Sequence, residues 1–253
     1  MSFARFHVQR IAPAGVGDAM VLPDAVAHHA TRVLRLDTDA TIVLFDGAGG
    51  EYVATLERVG RSDANARLQR FIAIERENAH AVTLAQAILA SDAMDLAIRK
   101  AVELGVARVV PLISERTQRS GALRDGKRHE HWRSIAIAAC EQCGRNRVPD
   151  VEVPQSFDDY LREANTDRMV AIASPAAPQS LAGLARRTLP DLILIGPEGG
   201  FTAREVEHAM ARGAIDVNLG SRVLRAETAA LAALVTIAAV AEASGQGVVA
   251  ASA

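Results

Sequence analysis

The sequence predicts an α/β protein in two parts, a small β-rich module followed by a larger domain built on a mostly parallel sheet. Three observations support this prediction. The 253 residues are 49% hydrophobic and 23% charged, a composition typical of a soluble globular chain with room for two modest domains. Residues 1–70 contain short apolar or alternating runs separated by turn signals. From Val82 onwards, strand-like and helix-like segments alternate, as in parallel sheets covered by helices.

The β-rich module is expected to contain short strands interrupted by one helix. The predicted strands lie at residues 3–8, 40–45 and 52–56. A helix is predicted over residues 23–36, because Asp24 can cap it and apolar residues recur behind it at helical spacing. The polar segment 72–81 is the natural linker, so we divide the chain into domains 1–72 and 73–245.

The larger domain is expected to alternate between strands and helices. The predicted strands lie at residues 82–89, 106–113, 169–173, 192–195 and 215–219. The predicted helices lie at residues 93–104, 129–143, 203–212 and 227–243. This order of elements favours a parallel sheet with helices on its faces.

The composition also indicates a compartment. The longest apolar stretch, residues 229–241, is rich in alanine and follows the charged residues Arg222, Arg225 and Glu227. We therefore expect a buried helix here and no membrane span. Only two cysteines are present and no basic-then-apolar segment opens the sequence, so we expect a cytoplasmic protein.

The charge is unevenly distributed along the chain. The net charge is -2, yet residues 99–147 carry 11 basic and 5 acidic side chains, an excess of six positive charges. Nearly all the cations are arginines, whose planar guanidinium groups suit phosphate oxygens and base edges. A basic segment of this kind favours a nucleic-acid partner, although a solvated surface with an arginine-rich composition remains an alternative.

The most informative local motif is Gly196-Pro197-Glu198-Gly199-Gly200, which follows a predicted buried strand. Thr202 then occupies an N-cap position, and Glu205 three residues later completes a capping box for the next helix. Glycines let a ligand approach the backbone closely, and ligands of parallel α/β sheets lie at the carboxyl ends of the strands. The motif predicts a ligand-binding loop, with a plain strand–helix connection as the alternative.

A second strand end repeats this pattern in residues 218–230. Gly220 closes the predicted strand, and Glu227-Thr228 opens the next helix. The intervening loop contains two arginines and two bulky aliphatic residues, a mixture that suits the lining of a cofactor pocket. Two such loops in one domain make a ligand site a stronger prediction than either loop alone. Neither resembles the glycine motif of a dinucleotide fold or of a P-loop.

Cys140 and Cys143 form a C-x-x-C pair, which invites a redox or zinc interpretation. We favour neither, because the pair ends a predicted helix instead of opening one, and no second pair of ligands has matching spacing. We therefore expect no metal. The neighbouring side chains of Glu141, Gln142 and Arg145 are suited to holding a base or a phosphate.

The two glycine loops, residues 196–202 with Glu205 and residues 219–229, together resemble the paired signature of the RsmE family. This family comprises the 16S ribosomal RNA uridine N3-methyltransferases of the SPOUT superfamily. The resemblance extends over nearly the whole chain. It includes Lys100-Ala101-Val102-Glu103-Leu104-Gly105, Ser114-Glu115-Arg116-Thr117, Glu141-Gln142-Cys143-Gly144-Arg145, His29, Val33-Leu34-Arg35 and Asp46-Gly47.

The resemblance implies a PUA-like RNA-binding β-barrel followed by a SPOUT α/β domain with a C-terminal trefoil knot that holds S-adenosylmethionine. The knot is implied by the resemblance alone, since general topology rules disfavour threaded connections. The family also implies a homodimer, and the predicted helix 227–243 suits such packing. The implied substrate is one uridine of 16S rRNA in the 30S subunit, methylated at N3.

The resemblance further assigns roles to individual residues. Those implied to bind the cofactor are Ser174, Ile195, Gly196, Pro197, Glu198, Gly199, Gly200, Leu219, Gly220, Val223, Leu224 and Thr228. Those expected to contact RNA are Arg32, Arg35, Arg116, Arg119, Arg145 and Arg147. In catalysis, Glu198, or alternatively Glu141, would accept the N3 proton, and Arg145 and Arg225 would contact the target base and stabilise its anion.

Two other functions stay open at this point. A SPOUT enzyme could methylate a ribose or a tRNA base, although the agreement over the small module favours the ribosomal target. A catalytically silent protein of the same fold could bind RNA or assist ribosome assembly. The intact glycine loops favour the enzyme, since a lost cofactor site would tolerate side chains there.

Overall fold

The computed structural model describes residues 3–11, 15–60, 63–117, 126–163 and 168–245, and these residues form two compact units. The first unit lies within Met1–Glu77 and also includes Cys140–Val148. The second unit lies within Asn78–Ala139 and Pro149–Ala250. The expected division into domains 1–72 and 73–245 treats the chain as two consecutive pieces. It did not anticipate that a short segment from the middle of the chain packs with the first unit.

The described residues of the first unit form a five-stranded sheet with the order β1-β3-β4-β5-β2. Its strands are β1 (Ala4–His7), β2 (Ala19–Val21), β3 (Thr41–Phe45), β4 (Glu51–Val59) and β5 (Ala64–Ile72). The strands β1 and β3 pair in parallel, and the other neighbours pair antiparallel. The β-rich module is therefore confirmed.

The strand β5 was not predicted, although its sequence carries a signal. Ala64, Ala66 and Leu68 are fully buried and alternate with more polar residues, which is the period of a half-buried strand. They join a core formed by residues such as Phe6 and Ile42. Small alanines give a weak hydrophobic pattern, which is why the alternation was missed.

The helix predicted over residues 23–36 is shorter and differently capped. It runs as α1 (Asp24–His28) and continues as a π-helical turn over His29–Val33. The expected cap by Asp24 is wrong: Pro23 occupies the N-cap position without a side-chain cap, and Asp24 is the first helical residue. Arg35 then adopts a left-handed conformation with φ 54°, which ends the helix before residue 36.

The second unit is built on a sheet in which every described pairing is parallel, with the order β12-β10-β11-β6-β7-β8 and β9 paired to β7. Its strands are β6 (Thr83–Ala87), β7 (Arg108–Ile113), β8 (Asp150–Val151), β9 (Gln155–Ser156), β10 (Val170–Ala173), β11 (Leu192–Ile195) and β12 (Ile215–Val217). All residues of β6 and β11 are buried, as expected for central parallel strands. The parallel α/β prediction is confirmed.

The helices of this part of the chain are α2 (Ser91–Glu103), α3 (Gly126–Cys143), α4 (Phe157–Glu163), α5 (Leu181–Ala185), α6 (Ala203–Ala211) and α7 (Ala226–Ala243). The helices α2, α3, α6 and α7 were predicted with ends shifted by up to three residues, whereas the short α4 and α5 were not. The predicted capping box of α6 is confirmed, since the Thr202 and Glu205 side chains each cap the other residue's backbone.

The helix α7 meets the length and hydropathy of a membrane-spanning segment. It nevertheless packs against α2, α5 and β11. Its buried face contains Ala230, Leu234 and Ile237. The expectation of a buried helix holds for this face alone, because Val235 on the opposite side is 48% exposed.

Candidate functional site

One cavity of about 320 Å³ lies at the carboxyl ends of β10, β11 and β12 in the second unit. These three strands are neighbours in the sheet, so the loops that follow them converge at one edge. The described residues that line the cavity are Arg116, Ala173, Ser174, Pro175, Ile195, Gly196, Pro197, Glu198, Gly199, Gly200, Phe201, Val206, Leu219, Gly220, Arg222, Val223, Leu224, Ala226 and Ala229.

The loop after β11 folds back tightly on itself. A Cβ atom at Gly196 would lie 2.8 Å from the backbone nitrogen of Phe201, so a side chain at this position requires the loop to move. Gly200 has φ 69°, and its N–H donates to the carbonyl of Pro197 at 2.8 Å. Glycine at these two positions is therefore required by the fold of the loop itself.

Gln86 on β6 holds the start of this loop from beneath. The side chain is fully buried, and its Nε2 donates to the carbonyls of Ile195 at 3.4 Å and Gly196 at 3.3 Å. Its Oε1 is buried without a hydrogen-bond partner among the described residues. The sequence analysis missed Gln86. The available signal was a glutamine within the largely apolar run that predicts β6.

Glu205 connects two walls of the cavity. Its side chain is almost fully buried, and its two oxygens accept hydrogen bonds from the backbone N–H groups of Thr202 at 2.8 Å and Glu115 at 2.9 Å. The adjacent Arg116 donates from Nη1 to the carbonyl of Gly199 at 2.7 Å. The loop at residues 114–117 is thus fastened to the loop after β11 at two points.

Asn218 connects the loop that follows β10 with the loop that follows β12. Its Nδ2 donates to the carbonyl of Ala177 at 2.9 Å, and its Oδ1 accepts from the N–H of Gly220 at 3.1 Å. Nearby, burial raises the pKa of Asp216, and the hydrogen bond from Ser174 offsets only part of that rise. The hydroxyl of Ser174 is thereby oriented within the cavity wall.

The cavity brings together nearly all the residues expected to bind the cofactor. Of that set, Thr228 alone is not among the described lining residues. The cavity also includes Arg222, one of the two arginines of the second glycine loop, to which no individual role was assigned from the sequence.

Comparison with known proteins identifies the family. Residues 76–238 match the family model of an RNA methyltransferase domain, and residues 22–69 match that of an RNA methyltransferase PUA domain. Ribosomal RNA small subunit methyltransferase E of Synechocystis is 32% identical over 93% of this chain and 78% of that protein. The protein of the same name from Rickettsia conorii is 32% identical over 85% of this chain and 86% of that protein. The chain belongs to this family.

Two solved structures with bound S-adenosylmethionine are similar over almost their whole length. The ribosomal RNA small subunit methyltransferase E of Neisseria gonorrhoeae superposes with a TM-score of 0.85 and 34% identity, covering 93% of this chain and 97% of that one. A putative methyltransferase of Legionella pneumophila superposes with a TM-score of 0.87 and 33% identity, covering 94% and 98%. The expected α/β methyltransferase domain and PUA-like module are confirmed for this member of the methyltransferase E family.

The two candidate acids of this methyltransferase E family member lie in different units. Glu198 is exposed and lines the cavity, and its Oε1 accepts a hydrogen bond from the N–H of Ala90 at 2.9 Å. Glu141 belongs to the first unit, where its Oε1 accepts from the N–H of His7 at 2.9 Å. Burial raises the pKa of Glu141 despite that hydrogen bond. Of the two, only Glu198 stands at the cavity.

The arginines assigned to catalysis are not among the described lining residues of the cavity. Arg145 is 3% exposed, belongs to the first unit, and donates from Nε to Glu77 at 3.0 Å. Arg225 is exposed and occupies the N-cap position of α7. Arg145 therefore has little surface to offer a substrate.

The arginines expected to contact RNA are mostly accessible. Arg32 and Arg35 are exposed and line a second pocket of about 250 Å³ in the first unit. Arg116 lines the cavity, and Arg147 is about half exposed with Nε 3.3 Å from Glu75. Arg119 lies outside the described residues.

The segment Cys140–Val148 is held within the first unit by a network of charged groups. Glu51 is nearly buried and accepts hydrogen bonds from Arg5 at 2.6 Å and Arg76 at 3.1 Å. Arg5 also donates to Asn146 at 2.6 Å. Burial alone would raise the pKa of Glu51, but the two arginines outweigh it and hold the pKa below its usual value.

The C-x-x-C pair lies at the end of α3, as predicted. Burial raises the pKa of Cys140 to about 12, so its thiol stays protonated at neutral pH and is a poor nucleophile. Among the described residues, no cluster of three His, Cys, Asp or Glu side chains is arranged to hold a metal ion. The chemistry of this region is therefore that of the arginines and carboxylates around it.

Proposed function

We propose that this protein transfers the methyl group of S-adenosylmethionine to N3 of one uridine in the 16S rRNA of the 30S subunit. Membership of the small subunit methyltransferase E family makes it an RNA methyltransferase that acts on ribosomal RNA with this cofactor. The observation that carries the proposal is the single cavity formed by both glycine loops at the carboxyl ends of neighbouring strands.

The cavity suits S-adenosylmethionine in size and chemistry. Its volume of about 320 Å³ falls in the usual range for small-molecule sites. Ile195, Leu219 and Leu224 provide apolar surface for an adenine ring, and the glycine loops leave backbone groups accessible to its polar edge. When bound, the cofactor supplies an electrophilic methyl group on a sulfonium sulfur.

The chain's own task is to position uracil and remove the proton of its N3. We assign the proton to Glu198, the carboxylate at the cavity, rather than to Glu141 in the first unit. Its hydrogen bond from Ala90 fixes one oxygen, and the other oxygen has no hydrogen-bond partner among the described residues. A positioned carboxylate of this kind matches the requirement for a base within reach of the reacting atom.

Recognition of the RNA is assigned to exposed arginines on both units. Arg32 and Arg35 would bind phosphates on the PUA-like unit, and Arg116 would do so at the cavity. Arg147 extends this set, although Glu75 competes for its guanidinium. We place the protein in the cytoplasm, where its ribosomal substrate is found.

Two architectural features complete the proposal. We assign the segment from β10 to α7 to a trefoil knot, because both glycine loops and the start of α7 line one cavity and α7 returns to pack on α2. We also assign the exposed side of α7, with Val235 and the half-buried Leu231, to contact with a second copy of the chain.

The decisive experiment is transfer of labelled methyl from S-adenosylmethionine to 30S subunits and, separately, to bulk tRNA, followed by nucleoside analysis. The expected result is 3-methyluridine in the 30S sample alone. Methylation of tRNA or of a ribose would indicate a different target. Cofactor binding without transfer to either substrate would overturn the ribosomal target, and no cofactor binding at all would favour the silent RNA-binding protein.

A further inference from the structure

Three described residues with charged side chains line the cavity, and two of these side chains form hydrogen bonds with the backbone. Among the described lining residues, the charged side chains are Arg116, Glu198 and Arg222. Arg116 is bound to the carbonyl of Gly199, and Glu198 is bound to the N–H of Ala90. Arg222 is exposed and makes no hydrogen bond or ion pair with another described residue.

The position of Arg222 differs from the positions of Arg145 and Arg225, the two arginines assigned to catalysis from the sequence. It stands inside the loop after β12, between Gly220 and the apolar pair Val223 and Leu224, all of which line the cavity. Arg145 is buried in an ion pair, and Arg225 begins α7 without being a described lining residue. Arg222 therefore brings an unneutralised positive charge to the place where the target base would have to enter.

The reaction creates a need for such a charge. The N3 proton of uracil is only weakly acidic, so the ring becomes a nucleophile only after the N3–H bond breaks and leaves its electron pair on nitrogen. The resulting negative charge spreads onto the two carbonyl oxygens that flank N3. Moving this anion out of bulk water is unfavourable unless a cation lies beside it, and a guanidinium can donate to a carbonyl oxygen while never accepting the proton itself.

We infer that Arg222 is a catalytic residue that donates hydrogen bonds to a uracil carbonyl oxygen and stabilises the uracil anion formed when the N3 proton passes to Glu198. The proton later leaves Glu198 for solvent. The electron pair that remains on N3 would form the new bond to the methyl carbon of S-adenosylmethionine, as the bond from that carbon to sulfur breaks and leaves its electron pair on sulfur in S-adenosylhomocysteine. Arg116 is hydrogen-bonded to the loop after β11, and its proposed role is to bind a phosphate of the RNA. This inference rests on the proposed function, because it assumes that the substrate is a uracil.

The test compares Arg222→Gln and Arg222→Lys with the wild-type protein on 30S subunits. Arg186→Gln is the matched control, since Arg186 is an exposed arginine of the same unit and is not a described lining residue. We expect Arg222→Gln to lower kcat about 100-fold, as the loss of a donor to a developing anion does in other enzymes. Arg222→Lys should recover part of that loss, because it keeps the charge but loses the planar donor pair.

Four further readouts separate this role from a structural one. The rate of Arg222→Gln should keep rising to a higher pH than the rate of the wild type, because the uracil anion has lost its stabilising charge. Subunits reconstituted with 16S rRNA transcribed from 5-fluorouridine, whose N3 is more acidic, should be methylated by the variant with a smaller deficit. Cofactor affinity by calorimetry and affinity for 30S subunits should match those of Arg186→Gln.

Each other outcome overturns the inference in a distinct way. Weaker cofactor binding with an unchanged kcat would make Arg222 a cofactor ligand. Weaker binding of 30S subunits with an unchanged pH profile and no benefit from 5-fluorouridine would make it a phosphate contact. Wild-type rates in Arg222→Gln would remove the role while leaving the proposed function intact, whereas no transfer by the wild type would remove both.

Discussion

The network around Glu51 in the first unit and the cavity of the second unit both contain carboxylate and guanidinium groups. These groups have different partners in the two regions. In the network, Glu51 is nearly buried between Arg5 and Arg76, and Arg145 is paired with Glu77. Around the cavity, carboxylate and guanidinium groups bond to the backbone or, like Arg222, to no described residue. Charges that neutralise each other stabilise a fold, whereas charges left unpaired are available to a substrate.

The largest effect that sharpens this comparison is expected from Gly196→Ala. The new Cβ would lie 2.8 Å from the backbone nitrogen of Phe201, so the loop after β11 must shift and distort the cavity. We expect cofactor affinity to fall by about 100-fold, or about 2.7 kcal/mol. Calorimetric titration measures this affinity. Gly126→Ala is the control, because a Cβ at that position would meet no described atom within 4 Å beyond its chain neighbours and its own helix backbone. Equal affinity in the two variants would show that the cavity does not hold the cofactor.

A substitution in the network around Glu51 is expected to lower the stability of the protein and to leave its cofactor affinity unchanged. Glu51→Gln leaves Arg5 and Arg76 without their shared carboxylate in a nearly buried position. The free energy of unfolding should fall by about 2 kcal/mol, which is less than the cost of removing one partner of a fully buried ion pair, because the Arg76 side chain is 37% exposed. Urea denaturation measures the change, and cofactor affinity should stay at the wild-type value. Glu57→Gln, which breaks an exposed pair with Arg67, should change stability far less. A large loss of cofactor affinity in Glu51→Gln would erase the distinction between the two regions.

The pH dependence of stability gives a third contrast. Because the pKa of Glu51 in the folded protein lies below its usual value of 4.5, the unfolded chain binds this proton more readily. The stabilisation is therefore complete above pH 4.5 and is lost as the pH falls through the folded pKa. Thermal unfolding across this acidic range should show a steeper loss for the wild type than for Glu51→Gln. Parallel curves would mean that the arginines do not stabilise the charged form.

The smallest effect is expected from Asp216→Asn beside the cavity. Burial raises the pKa of Asp216 above its usual value of 3.8, so the charged form is less stable in the folded protein than in the unfolded chain. The contribution of this group to stability is full below pH 3.8 and declines as the pH rises through the folded pKa. At neutral pH, the melting temperature of Asp216→Asn should be slightly above that of the wild type, and the difference should vanish in acid. A lower melting temperature at neutral pH would contradict this account.

The sequence predicts the parts of this protein that depend on local patterns. The alternation of strands and helices predicted the parallel sheet, and Thr202 with Glu205 predicted the capping box of α6, because both signals arise within a few neighbouring residues. The prediction of a ligand site from two glycine loops at strand ends rests on the rule that ligands of parallel sheets bind at the carboxyl ends of the strands, and both loops line one cavity.

The rest depends on pairings between distant residues, which periodicity does not encode. Local sequence patterns do not distinguish the role of Arg145 from that of Arg222. The structure distinguishes them, because Arg145 forms a buried ion pair whereas Arg222 lines the cavity without a described partner. Gln86 gains its role from Gly196, more than a hundred positions away. The Ala-rich β5 was missed for a different reason, since small side chains make a weak pattern even where the alternation is regular.

The inclusion of Cys140–Val148 in the first unit has a consequence for synthesis on the ribosome. Asn146 donates to the carbonyl of Ile74 and accepts from Arg5, so the N-terminal part of the chain lacks these partners until residue 146 has emerged. By then β6 and β7 of the second unit have already been made. The usual order, in which an N-terminal unit completes its folding before the next one starts, is therefore not open to this protein. A fragment that ends at residue 77 would lack the segment Cys140–Val148, which packs within the first unit.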